Sequence, residues 1–274
     1  MNDPRLTPAR RDVAAAKLKG EVDAERFVEA VPHQVKVGAS VLREAPSFVA
    51  RLETQLLYGE IFDVYGCDDE GWVWGQAQLD GYVGYARADS FDTDIHEPTH
   101  RVAVLRTLVF PEPDKKSQPP SPLSLNAKLR VTAYENGFAA LSRGGWVYAA
   151  HIAPIDATVE DWVASAERFV GLPYLWGGKD SSAADCSGVV QSALETGGVI
   201  APRDADMQEK AVGRPIPPDA PLQRGDLVFW SGHVGIMRSP TELLHANAFH
   251  MQTVIEPLNA AIARSGPPRT IRRL

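Results

Sequence analysis

A change of hydrophobic period near residue 156 restricts this chain more than any other feature. Before it, apolar residues alternate with polar ones in short runs. After it, Val159, Trp162, Val163, Ala166, Phe169 and Val170 recur at helical spacing, and Gly171 follows as a stop. Alternation buries one face of a strand, whereas a helical period buries a stripe, so the two stretches belong to units of different architecture. With 274 residues there is room for two ordinary domains, or three if some are small β units. An apolar fraction of 44% supplies a buried core, which excludes collagen-like, disordered and disulfide-stapled classes.

Residues 1–30 are interrupted by charges every few positions. Val13, Lys17, Val22 and Phe27 are compatible with a helix, so the spacing predicts an N-terminal helical arm. From Val31 the pattern turns to β. Val35 and Val37 alternate with polar neighbours, and Leu56-Leu57-Tyr58-Gly59-Glu60 leads into Ile61, Phe62 and Val64. Residues 71–79 and 82–85 then flank Asp80-Gly81, a strong hairpin signal because both residues tolerate positive φ. A looser copy follows, with residues 129–134, the turn Asn136-Gly137, residues 138–141 and the Trp146-Val147-Tyr148 run. The repetition predicts two small β-barrels, over 31–95 and 96–155, with the five-proline stretch 110–122 as a long loop inside the second. Residues 156–274 read as an α+β domain. A second helix runs from about 186 to 196, Gly197-Gly198 closes it, and strands follow at 226–230, 233–237, 242–246 and 253–255.

Charge and cysteine usage narrow the function. Lys and Arg total 28 against 35 Asp and Glu, a formal charge of −7, which excludes a general nucleic-acid binder. Arg269, Arg272 and Arg273 read as a solvated tail. The two cysteines, Cys67 and Cys186, lie far apart, which argues against a disulfide framework and a cysteine-rich zinc site. The first thirty residues have no apolar core of signal-peptide length, and no run approaches the roughly 20 apolar residues of a membrane span. The expected location is cytoplasmic.

Cys186 follows a loop of small residues and opens the second helix. A thiol there feels the positive end of the macrodipole and unpaired N–H groups, which favour thiolate and can hold an oxyanion. Two histidines on later strands supply a base. If the hairpin between them centres on Ser239, His233 and His245 lie directly opposite each other, with Cβ atoms roughly 4.5–5.5 Å apart. One imidazole can take the thiol proton while the other orients it, the arrangement of an activated cysteine. Cys67 stands beside Asp68, Asp69 and Glu70, which disfavour a thiolate, and His33, His96, His100, His151 and His250 show no partner spacing.

Four motifs, Tyr174-Leu175-Trp176-Gly177-Gly178, Asp185-Cys186-Ser187-Gly188, residues 223–229 and His233-Val234-Gly235-Ile236, resemble in order and spacing those of the NlpC-like cell-wall cysteine peptidases. The resemblance covers 156–274 and implies a papain-like catalytic domain, with Cys186 as nucleophile, His233 as base and His245 as the orienting third residue. It implies cleavage of the bond between γ-linked D-glutamate and a diamino acid in peptidoglycan peptides carrying a free L-alanine amine. Tyr174, Asp185 and Ser187 match the positions that bind the amine end. The two N-terminal units resemble bacterial SH3-like domains, one of which donates an acidic residue to the amine pocket in such enzymes; Glu60 is the matching candidate and Tyr82 a further one. The implied partner is a wall-derived peptide, with no cofactor, metal, nucleic acid or membrane span, and the implied setting is cytoplasmic recycling of wall peptides. Asp185 can equally serve as a helix N-cap. A catalytically silent peptide-binding protein, an amidase or acyltransferase on another amide, and a metal site built from Cys186, His233 and His245 use the same residues differently.

Overall fold

The computed structural model describes residues 3–118, 121–217 and 219–274. Its backbone divides into two units, one ending at Ile155 and one running from Asp156 to Leu274. The N-terminal arm is extended rather than helical. Strands Ala14–Ala15 and Phe27–Val28 pair in parallel around the 3-10 turn Ala16–Leu18. The helical hydrogen bonds are replaced by tertiary ones: Val83 N–H donates to Arg5 O at 2.8 Å and Gln76 Nε2 to Leu6 O at 2.9 Å. Val13, Ala14 and Ala15 are buried, and the Arg10 guanidinium lies 4.6 Å from the centre of the Trp74 ring. Burial against the neighbouring sheet, available only to an extended chain here, overrides the weak helical spacing.

Residues 31–92 form one seven-stranded antiparallel sheet. Its order is Leu52–Leu57, Ala39–Arg43, Val83–Arg87, Trp72–Ala77, Ile61–Cys67, Val31–Val35 and Phe91–Asp92. Asp80-Gly81 makes the expected turn, with Gly81 at φ +78° and Asp80 Oδ1 accepting the Tyr82 N–H. Residues 100–154 hold three small sheets instead of one. Asn136 and Gly137, both at positive φ, join strands Val131–Glu135 and Phe138–Leu141, and Val102, Leu123, Leu129, Leu141 and Val147 share a core. The proline-rich stretch links the paired strands Arg106–Val109 and Ser121–Ser124; its residues 119 and 120 lie outside the described residues.

The C-terminal unit sets helices α1 (Trp162–Glu167), α2 (Cys186–Thr196), α3 (Ala205–Ala211) and α4 (Leu258–Ser265) around a six-stranded sheet. The strand order is Arg214–Pro215, Thr270–Arg273, Leu227–Trp230, His233–Met237, Glu242–Asn247 and Gln252–Pro257. Helix α2 is buried along almost its whole length and packs on the strands of His233 and His245. Its interior polar side chains find partners: Gln191 Nε2 donates to Ala201 O at 3.0 Å and Ser192 Oγ to Lys179 O at 3.3 Å. Of the C-terminal arginines, Arg269 stays largely exposed, whereas Arg272 and Arg273 are structural rather than a solvated tail. Their strand inserts between two others, and Arg273 grips the fully buried Asp226 with Nε–Oδ1 at 2.7 Å and Nη2–Oδ2 at 2.8 Å.

Candidate active site

Helix α2 starts where the chain can satisfy a buried carboxylate from several sides. Asp185 is its N-cap: Oδ1 accepts the Gly188 N–H at 2.7 Å and Oδ2 the Gly177 N–H at 2.7 Å. Arg203 completes the cluster. Its Nη1 donates to Asp185 Oδ1 at 2.9 Å and to Ser187 Oγ at 2.9 Å, and its Nη2 to Asp185 Oδ2 at 2.8 Å and to Gly178 O at 3.1 Å. The Arg203 side chain is wholly buried and Asp185 nearly so, which shields this two-pronged pair from most water. Gly188 is required by the close approach: a Cβ there would fall 2.1 Å from Gly178 O. The loop and the helix start are thereby locked, and Cys186 is held at the first helical position, 8% exposed.

The backbone N–H groups of Val234 and Ser187 lie near enough to the Cys186 sulfur to favour its thiolate, which sets it by the head of the His233 strand. Burial, and then the Asp185 charge, push the thiol up to about 12, outweighing those N–H groups and Arg203. A standing thiolate, expected from the helix position alone, is therefore reversed: the resting sulfur is protonated.

The histidine pair is present, in a different register from the one expected. Ile236 pairs with Leu244 and Met237 with Leu243, and Arg238 N–H closes the turn on Glu242 O, centring it on Pro240. His233 and His245 are consequently diagonal neighbours rather than directly opposite. A two-residue offset keeps both on one face, and His233 Nε2 lies 2.8 Å from His245 Nδ1. Burial, and next the neighbouring imidazole, lower His233 to about 4, and burial also lowers His245. Both rings rest neutral at pH 7.

Beyond His245 stand residues that sequence reasoning missed. Glu256 Oε1 lies 2.8 Å from His245 Nε2, and Arg264 holds Glu256 in turn, with Nη1–Oε2 at 3.1 Å and a second contact from Nη2 to Oε1. Arg264, and then His245, bring Glu256 down to about 2. A signal existed for Glu256: Val254 pairs with His245, and two residues along a strand return to the same face. None marked Arg203, whose partner is set by tertiary folding alone.

Of the other expected site residues, Tyr174 is half-buried, and its phenol is raised by burial, by the nearby Cys186 and by Asp185. Its N–H donates to Met251 O at 3.0 Å, tying it to the loop after the His245 strand. Ser187 is buried, with Oγ 3.3 Å from Asp185 Oδ1. The structure thus gathers Tyr174, Asp185, Cys186, Ser187, His233 and His245 in the C-terminal unit. Glu60 and Tyr82 belong to the N-terminal unit, and both are buried. Glu60 Oε2 accepts the Leu57 N–H at 3.1 Å beside a 290 Å³ cavity, and the Tyr82 hydroxyl donates to Glu53 Oε2 at 3.2 Å.

Comparison with known proteins follows the same division. Residues 171–265 match the NlpC/P60 family, and residues 42–91 match the bacterial dipeptidyl-peptidase SH3 domain. Over 138 residues the chain is 34% identical to gamma-D-glutamyl-L-lysine dipeptidyl-peptidase of Bacillus subtilis (strain 168), covering 45% of this chain and 46% of that protein, about half its length. Over 225 residues it is 27% identical to dipeptidyl-peptidase 6 of Lysinibacillus sphaericus, covering 74% of this chain and 82% of that one. The crystal structure of an NlpC/P60 family protein from Bacillus cereus ATCC 10987 shares the fold, with a TM-score of 0.75 at 20% identity over 88% of this chain and 99% of the other. No helix among the described residues is long and apolar enough to cross a membrane. The chain thus carries an NlpC/P60 domain over residues 171–265 and a bacterial SH3 domain over residues 42–91.

Proposed function

We propose that this protein is a cysteine peptidase cleaving the bond between γ-linked D-glutamate and a diamino acid in peptidoglycan stem peptides whose N-terminal L-alanine is free. The observation that carries the reading is the 2.8 Å contact between His233 and His245 on the strand whose Val234 N–H lies near the Cys186 sulfur. With both partners neutral at rest, the thiol proton passes to His233 as sulfur attacks the γ-carbonyl. The oxyanion forms next to the N–H groups at the start of α2. His233 then returns the proton to the leaving amine, and water hydrolyses the thioester.

The amine end of the substrate is assigned to Tyr174, Asp185 and Ser187. Because Arg203 already neutralises Asp185, the ammonium meets a paired carboxylate, and the hydroxyl oxygens of Tyr174 and Ser187 share its recognition. The dipeptidyl-peptidase names of the relatives support selection at a free amino end. Such selection directs the enzyme to released muropeptides and hence to recycling of wall peptides. We read residues 96–155 as a second, diverged SH3-like unit, on its Asn136-Gly137 hairpin and shared small core.

Incubation with L-Ala-γ-D-Glu-diaminopimelate and with its N-acetylated form tests this, followed by separation of the released L-Ala-D-Glu. The free-amine peptide is expected to be cut and the acetylated one spared. Equal turnover of both refutes the amine selection, and turnover of neither refutes the substrate. The pH profile carries its own expectation. Protonation of His233 switches the base off, and burial defers that step from 6.5 to about 4. Activity should therefore hold its plateau down to about pH 5 and fall below it, whereas an ordinary histidine sets the acid limb near 6.5.

A further inference from the structure

His245 Nε2 faces two competing partners. Glu256 Oε1 is 2.8 Å away and Asn247 Nδ2 is 2.9 Å away. A carboxylate oxygen can only accept and an amide nitrogen can only donate, so the two demand opposite protonation of one ring atom. The Asn247 amide is oriented by its own oxygen, which accepts the His250 N–H at 2.8 Å. Glu256 is ionised and clamped by Arg264, whose guanidinium lies 4.5 Å from the centre of the Phe249 ring. His250 Nε2, 3.6 Å from Glu256 Oε2, is the other titratable group on that carboxylate.

A charge-assisted bond is roughly twice as strong as a neutral one, so Glu256 wins and the proton sits on His245 Nε2. His245 Nδ1 then holds a lone pair and accepts from His233 Nε2–H. That leaves His233 Nδ1 unprotonated, the form in which a ring can take the thiol proton. Without the carboxylate, Asn247 donates to Nε2, His245 carries its proton on Nδ1, and His233 must invert as well. Its Nδ1 is then already protonated and useless as a base.

We propose that Glu256, clamped by Arg264, is a positioning residue that sets the tautomers of both histidines against the opposing pull of Asn247. The inference rests on the peptidase reading for the roles of Cys186 and His233, but its test needs no peptide. Alkylation of Cys186 by iodoacetamide is followed across pH by mass spectrometry of its own peptide, which separates it from the exposed Cys67. Ring 15N shifts report the tautomers.

Glu256→Leu is expected to slow Cys186 alkylation at neutral pH by about 10- to 100-fold and to move the proton of both rings to Nδ1. Glu256→Asp should recover most of the rate. An unchanged alkylation profile or unchanged tautomers in Glu256→Leu overturns the proposal. If that variant does not fold, the wild-type spectrum decides: protons on both Nε2 atoms support it, and a proton on either Nδ1 refutes it. Normal tautomers and alkylation in a wild-type protein that cuts no wall peptide would count against the substrate reading alone.

Discussion

Cys186→Ala is expected to lower hydrolysis of the free-amine peptide by about 10⁴-fold or more while the protein stays folded. In the proposed mechanism the thiol forms the bond that defines the intermediate, and no other described side chain at the start of α2 can replace it: Ser187 Oγ is engaged by Arg203 and Asp185. The structural effect is small. Alanine retains the backbone N–H that opens the helix and the N-cap bonds of Asp185, and it removes a single buried atom, about 1 kcal/mol of packing. Single-turnover hydrolysis with thermal melting as the control measures both. Residual activity within tenfold of wild type would show that the sulfur is not the attacking atom.

Arg203→Met should produce the largest loss of stability in the C-terminal unit. Methionine keeps much of the volume and removes the charge, leaving the Asp185 carboxylate buried with the Gly177 and Gly188 N–H groups and the Ser187 hydroxyl. Breaking a buried pair from one side typically removes about 3–5 kcal/mol. For a unit of this size, that corresponds to a melting midpoint lower by roughly 10 °C or more. Activity should fall with it, because the same bonds hold the loop and the helix start that carry the sulfur. Adding Asp185→Asn to Arg203→Met removes the orphaned charge and should recover part of the midpoint, so the double-mutant cycle isolates the pair. A midpoint within 2 °C of wild type in Arg203→Met would mean that the buried pair contributes little.

The α/β architecture of the C-terminal unit was legible where local pattern decides it. The extent of α2, the Asp80-Gly81 turn and four of that unit's six strands follow from periodicity and turn chemistry, and Cys186 stands out because a helix starts at it. The features that escaped depend on the third dimension. The arm reads as a helix until its backbone finds partners in the neighbouring sheet. The last strand reads as a basic tail because the reason for Arg273, the buried Asp226, is 47 residues away. Arg203 is opaque for the same reason. The upward pull on the thiol also escaped, because a helix start argues one way and burial beside Asp185 argues more strongly the other. The histidine register missed by a single turn position, Pro240 in place of Ser239, and the two-residue stagger preserved the pair.

That stagger continues through the sheet. His233, His245 and Glu256 each step two positions along successive antiparallel strands, forming an oblique file across one face. Side chains switch faces at every residue, so the file survives only while each connection keeps its parity. One residue gained or lost between Met237 and Glu242, or between Asn247 and Gln252, turns a ring or the carboxylate to the far side with no catalytic side chain altered. Length changes in those two hairpins can be accommodated in twos but not in ones, which makes the spacing of the turns as much a determinant of the chemistry as the imidazoles they align.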